Sequence, residues 1–488
     1  MKGRLSSFLT GAFGFLILCL SQSAAEDWPR FRGPNGSGIS ESMGLPPSFG
    51  PKENVIWKRD VPFARSSPIV VGDRLFLTAS EGDDLITMCF DSRDGNLLWE
   101  QKIKRERAAE IYRQNDPASP TPVTDRTNVY VFFPDFGLVS YGPEGKERWR
   151  VPLGPFNSFY GMANSPIIVG EAVVQLCDAR TDPFLIAVDR NSGQTLWKVK
   201  RPTLIEGFST PIVRNLESGG SEILVFGNRR LDAYSPEDGE MLWNAADFGY
   251  YVVGGPVLGG GETVFLSASG TDEPSLPPLA EALKTYDANG DGKIEREEVR
   301  ADAEYYEHFG SVDTNADKFI DASEYNFMRT ASVGEQGFAA VSLKGHGKST
   351  ECNILWRYPK TYPETTTPIL YQGILYGVKD GGIIVALDPS TGRVLKDGRT
   401  KEAMEAYYSS PVAADGIIYT IGESGKVSVI QAGPDWKVLK VMDLGEECYA
   451  TPAIASGRIY IRTRNTLYCF GEWFIGQPAI EPVRTPRR

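Results

Sequence analysis

The feature that most constrains the fold is a unit that repeats along the chain and is seen most cleanly between Ser165-Pro166 and Trp197. Each copy opens with a small residue and Pro, runs through two apolar strands, turns at Gly and closes on Trp, as in AVDRNSGQTLW from Ala187 to Trp197. The openings are Ser67-Pro68, Thr121-Pro122, Ser165-Pro166, Thr210-Pro211, Gly255-Pro256, Thr367-Pro368, Ser410-Pro411 and Thr451-Pro452. Their spacings are 54, 44, 45, 45, 112, 43 and 41 residues. A period near 44 with about four short strands marks a propeller blade, and the one long spacing announces an insertion in the fifth copy.

The eighth copy stops early, because Pro452 to Phe470 holds three strands and no Trp strand. Near the start of the chain, Asn54-Val55-Ile56-Trp57-Lys58 matches Asn353-Ile354-Leu355-Trp356-Arg357 of the fifth copy. A strand lent from the N-terminus would complete the last blade and remove an open sheet edge. The expected fold is therefore all-β, an eight-bladed β-propeller closed by an N-terminal strand, with a small α-helical module inserted in blade 5.

This reading divides the chain into a leader at 1–25 and a Gly/Pro-rich segment at 26–53. The closing strand and the propeller up to the start of blade 5 occupy 54–270, the insertion 271–332, the rest of the propeller 333–472 and a disordered tail 473–488. Lys2 and Arg4 precede an apolar run from Phe8 to Leu20 and the small residues Ser23, Ala24 and Ala25, the pattern of a secretory signal peptide cut near Ala25. With no later run long enough to span a bilayer, the mature chain is expected to be exported, soluble and monomeric. Cys89, Cys177, Cys352, Cys448 and Cys469 then remain, in spacings that make no disulfide framework, and read as buried thiols, with one bridge among them as the alternative. The net charge of -12 argues against a nucleic-acid partner.

The motif A-x-D-x-x-[ST]-G-x-x-x-W, together with Asp27-Trp28-Pro29-Arg30-Phe31-Arg32-Gly33-Pro34, resembles the pyrroloquinoline-quinone-like propeller repeat proteins over about residues 27–470, insertion excepted. That superfamily includes quinoprotein alcohol dehydrogenases and non-catalytic scaffold lipoproteins of outer-membrane assembly, so the resemblance implies a fold and leaves function open. The quinoprotein enzymes carry a vicinal disulfide, a carboxylate base and a calcium ion held by Glu and Asn. This chain has no adjacent Cys pair, and the other positions find no residue-by-residue match. The repeated Trp57, Trp99, Trp149, Trp197, Trp243 and Trp356 read as wedges between blades. Lys396 stands in that position in the sixth copy, and the seventh has no clear equivalent.

The insertion carries the most specific chemical motif. Asp287, Asn289, Asp291, Glu295 and Glu298 fall at positions 1, 3, 5, 9 and 12 of a loop with Gly292 at position 6 and the Lys293 carbonyl at 7. Oxygen ligands at that spacing suit a hard cation of large radius, and the loop resembles an EF-hand calcium loop. A second loop places Asp313, Asn315, Asp317, Phe319, Asp321 and Glu324 at positions 1, 3, 5, 7, 9 and 12, with Lys318 where Gly is expected. Holding a non-Gly residue left-handed costs about 1–2 kcal/mol, so two Ca2+ sites are expected, the second weaker. Residues 271–332 hold 15 acidic and 6 basic residues, which assigns most of the chain's negative charge to this module rather than to a substrate.

An aromatic residue precedes each repeat's Pro within about ten positions: Phe63, Tyr112, Tyr160, Phe208, Tyr251, Tyr362, Tyr408 and Tyr449. Since the opening strand of a blade is innermost, these rings are expected to line one mouth of the central funnel. Arg65, Asn115, Asp116, Asn164, Glu206 and Glu364 lie among them, and a concave aromatic mouth with a few polar groups is the default binding site. The alternative is that the rings merely pack the shoulders of the blades. Only His308 and His346 occur, the first in the insertion and the second in a turn of blade 5, so a histidine-based catalytic or metal site in the funnel lacks its base. The function expected is a calcium-binding scaffold with a protein or small-molecule ligand at the mouth. The alternative is a pyrroloquinoline-quinone-dependent dehydrogenase acting on an alcohol or sugar.

Overall fold

The computed structural model describes residues 27–472 except 106, 109–110, 113–114, 203–205, 228, 261, 332 and 361. The leader and the tail expected from the sequence lie outside these residues. Eight four-stranded antiparallel sheets follow one another in chain order, as the repeat predicts. The strand Val55–Asp60 pairs with Thr466–Phe470, so the first strand of the chain is the outer strand of the last blade. Blade 5 comprises Val257–Leu258, Thr263–Ala268, Gly337–Lys344 and Glu351–Tyr358, with the insertion between its second and third strands.

The Trp-to-Gly spacing of the repeat has a direct packing cause. Trp57, Trp99, Trp149, Trp197 and Trp356 lay their rings on Gly95, Gly145, Gly193, Gly239 and Gly392 in the turn of the following blade, where a Cβ would come within 2.5–2.8 Å of the ring. Each indole N–H donates to a carbonyl of the same turn, those of Ser92, Pro143, Arg190, Pro236 and Pro389. One residue pair thus satisfies the buried indole and fixes the angle between blades. Trp243 instead donates to Glu222, whose other oxygen accepts from the Gly347 amide in the longer turn of blade 5. Lys396 substitutes for Trp in blade 6 by lying 4.8 Å from the Trp436 ring and donating to the Trp436 carbonyl. The seventh copy does have an equivalent: Lys440 faces Val429 in the register where Lys396 faces Ala386, and it pairs with Glu53.

The residues before each Pro tie the inner strands into a ring. The amides of Ser67, Thr121, Ser165, Gly255, Thr367, Ser410 and Thr451 each donate to a side-chain hydroxyl of the adjoining blade at 2.9–3.2 Å, and Thr451 closes the circle on Ser67. The following Pro has no N–H, so this amide is the only donor at the step. Gly255, which has no hydroxyl, interrupts the chain of acceptors at blade 5.

Residues 27–40 close the channel on one side of this ring. Trp28 is fully buried and exchanges both backbone hydrogen bonds with Val70. Arg30 donates to the Pro211 carbonyl. Arg32, 1% exposed, donates to the carbonyls of Gly36, Ser37, Pro368 and Pro411, and burial draws its pKa down to about 9, still charged at neutral pH. This part of the Gly/Pro-rich segment is a plug held by a charge shared among carbonyl dipoles. Among the described residues no helix is long and apolar enough to cross a membrane, and the five cysteines carry free thiols.

The insertion contains helices α1 (Leu279–Tyr286), α2 (Ala303–Val312) and α3 (Ala322–Ala331) around a core of Ala282, Ile294, Val299, Phe309, Val312, Ile320 and Tyr325. Only one helix lies between the two loops, because the 14 residues that separate Glu298 from Asp313 leave room for a turn and α2 alone.

Candidate functional site: the mouth cavity and the inserted loops

On the side of the hydroxyl ring away from the plug lies a cavity of about 550 Å³. Of the fourteen residues expected there, Arg65, Tyr112, Asn115, Tyr160, Phe208, Tyr251, Glu364, Tyr408 and Tyr449 line it. Asp116, Asn164 and Glu206 do not, because each is spent on the scaffold. Asp116 accepts from the Arg65 and Ala118 amides and from the Ser119 hydroxyl. Asn164 is wholly buried and donates to the carbonyls of Gly207 and Ser209. Glu206 pairs with Arg180 at 2.7 Å. Phe63 and Tyr362 also stand back from the cavity, Phe63 beneath Arg65 and Tyr362 bonded to Gln336.

The rings form two groups along the wall. Tyr160 meets Tyr112 edge-on at 5.3 Å and meets Phe208 and Tyr251 at 5.8 Å, and Tyr408 meets Tyr449 at 5.4 Å. Burial pushes the Tyr160 phenol up to about 12, with Glu206 adding to the rise. Burial and a hydrogen bond to Glu423 take Tyr449 to about 12. These phenols therefore stay neutral and offer O–H groups at any physiological pH. Arg65 lies 4.3 Å over the Tyr449 ring, donates to the Asn115 carbonyl and sits 3.7 Å from Asp116. On the opposite wall Lys379 pairs with Glu364 at 3.1 Å. Beside it Asp380 accepts from the Tyr407 amide, its pKa raised by burial and then by Glu364 and Glu423.

Sequence reasoning missed Phe31, Tyr250, Asp380 and His308, which also line the cavity. Phe31 belongs to the plug and forms part of the floor. His308 corrects the expectation that the funnel lacks a histidine: α2 reaches back from blade 5 and sets its imidazole 5.7 Å from the Tyr112 ring. No spacing along the chain could signal that placement, which depends on where the insertion lies. Tyr250, next to the identified Tyr251, was legible from composition alone.

The two inserted loops adopt one hydrogen-bonding pattern. Asp287 accepts from the amides of Gly290, Asp291 and Gly292, and Asp313 from those of Asp317 and Lys318. Glu298 accepts from the Ala288, Asn289 and Glu295 amides, and Glu324 from those of Thr314, Asn315 and Asp321. Ile294 pairs with Ile320, joining the loops back to back. Lys318 holds φ 75° where Gly292 holds φ 81°, the left-handed backbone that position 6 requires. Carboxylate oxygens of Asp313, Asp317 and Glu324 lie within 4.8 Å of one another, a donor set of hard oxygens.

A family model described as outer membrane protein assembly factor BamB matches residues 52–177 and 88–272. No curated protein matches the chain in sequence. Among solved structures, BamB from Moraxella catarrhalis is 11% identical with a TM-score of 0.54, covering 86% of this chain and 99% of its own. A europium-containing methanol dehydrogenase is 10% identical with a TM-score of 0.56, covering 92% and 98%. The quinohemoprotein alcohol dehydrogenase from Comamonas testosteroni is 12% identical with a TM-score of 0.54, covering 95% and 84%. At these identities the likeness is one of fold, that of a PQQ-like β-propeller.

Proposed function

We propose that this PQQ-like β-propeller is an exported binding protein, a scaffold whose mouth cavity takes a ligand and whose inserted loops hold calcium. The observation that carries the reading is the cavity itself: neutral phenols, a stacked arginine and two carboxylates converge on about 550 Å³ that the chain's own plug does not fill. Export rests on the leader at residues 1–25. The match to a family model described by an outer-membrane assembly factor supports a segment of another protein as the ligand. Calcium would be held by Asp287, Asn289, Asp291, Glu295, Glu298 and the Lys293 carbonyl in the first loop. Asp313, Asn315, Asp317, Asp321, Glu324 and the Phe319 carbonyl would hold it in the second, and the ion's role is to fix the module's fold.

A second reading, a quinone-dependent dehydrogenase, is favoured by the likeness to a methanol dehydrogenase and a quinohemoprotein alcohol dehydrogenase. The donor set does not fit that cofactor, which is a tricarboxylate. Among the described residues Arg65 is the one arginine that lines the cavity, a single cation to set against three carboxylates. No cysteine lines the cavity among the described residues. Gel filtration of residues 26–488 with pyrroloquinoline quinone and calcium separates the readings. The binding-protein reading expects no quinone absorbance with the protein peak, and stoichiometric co-elution would overturn it.

A further inference from the structure

The insertion belongs to blade 5, yet its helix α2 also bonds to the loops around blades 2 and 3. Arg180, 9% exposed, donates through two nitrogens to one oxygen of Glu206 and also donates to the carbonyls of Gly310 and Asp313 at the C-terminal end of α2. A guanidinium there satisfies carbonyls that the helix leaves open and meets the negative end of its dipole. One residue further on, the Thr314 carbonyl accepts from the Asn157 side-chain Nδ2 at 2.8 Å. Gly310, a poor helix former in the last turn of α2, lies so close to Phe159 that a Cβ would sit 2.8 Å from the ring. On the same helix Glu307 accepts from the Tyr112 hydroxyl at 3.0 Å, and His308 faces the cavity. α2 is therefore a cavity wall made by the insertion and fastened by the ring.

The fastening and the second loop share a residue. Asp313 gives its carbonyl to Arg180 and its carboxylate to the oxygen cluster with Asp317 and Glu324. We propose that a cation in the second loop sets how firmly α2 closes the mouth, with the Arg180–Glu206 pair as the clasp and His308 as a wall residue that meets the ligand. This rests on the calcium-binding reading of the insertion. By linkage, whatever the ion adds to the closed wall a ligand held by that wall returns as tighter ion binding.

The two histidines supply the test in the intact mature chain, since His346 is exposed on blade 5 and serves as an internal reference for His308. Carbethoxylation of each is followed by mass spectrometry with calcium or with chelator, and calcium occupancy is measured in parallel by titration calorimetry. The expected result is that calcium slows His308 relative to His346 by about fivefold or more, the lower end of ordinary coupling. The clasp variant Arg180→Met with Glu206→Gln should bind calcium and lose that protection. Gly310→Leu, which pushes α2 off Phe159 and leaves the clasp atoms in place, should lose it too. Calcium that binds without changing the His308 rate overturns the coupling alone. Failure of calcium to bind overturns the coupling and the calcium reading together.

Discussion

The two ends of the central channel are built from the same eight inner strands and each receives an arginine, yet they are put to opposite uses. At the plugged end Arg32 is surrounded by backbone carbonyls, four of them from Gly36, Ser37, Pro368 and Pro411, and all its neighbours come from the chain itself. At the mouth Arg65 is stacked on Tyr449 and faces open volume. Where a chain supplies its own partners a buried charge is structural, and where it leaves volume beside the charge the group is available to a ligand.

The largest effect expected from this contrast is on stability. Arg32→Met leaves buried carbonyls without a donor and should cost about 3–5 kcal/mol, whereas Arg65→Met should cost about 1 kcal/mol. Denaturant midpoints compare them, and equal losses would erase the distinction between the ends. Next in size is the inserted module, for which calcium binding is proposed. Chelation should lower its melting transition, followed by protease cleavage within 271–332, with the ring unaffected. Lys318→Gly removes a left-handed strain of about 1–2 kcal/mol and should narrow the difference between the two sites, read by calorimetric titration.

The smallest effect is on pH dependence. A carboxyl whose folded pKa is raised contributes stability at acid pH that is lost as pH rises through the raised value. Asp380 is such a group, so Asp380→Asn should gain on the wild type as pH climbs through the window above the ordinary aspartate value of 3.8. Denaturation of both proteins across that window checks the sign, and a difference that stays constant would contradict it.

The eight blades, the lent strand Val55–Asp60 and nine of the mouth residues were legible because repetition places equivalent residues at equivalent radii. The Ser/Thr before each Pro was visible as a landmark, but its amide-to-hydroxyl circle needs the neighbouring blade to be seen. Glu206 and Asn164 were misplaced for the same reason: sequence gives their position along a loop, while Arg180 and the Gly207 carbonyl decide which way they are used. Lys440 was hidden because a charged residue replaced the aromatic signal. His308 was out of reach, since a module inserted in blade 5 bears on blades 2 and 3 through contacts that no periodicity encodes.

The most direct test of the central claim is native mass spectrometry of the protein purified from cells that make it, beside the double variant Tyr160→Ala, Arg65→Ala. The account predicts a bound mass on the wild type that the variant lacks, with the variant's stability lowered by only about 1–2 kcal/mol. The same bound mass on both proteins would place the ligand elsewhere and contradict the assignment of the mouth.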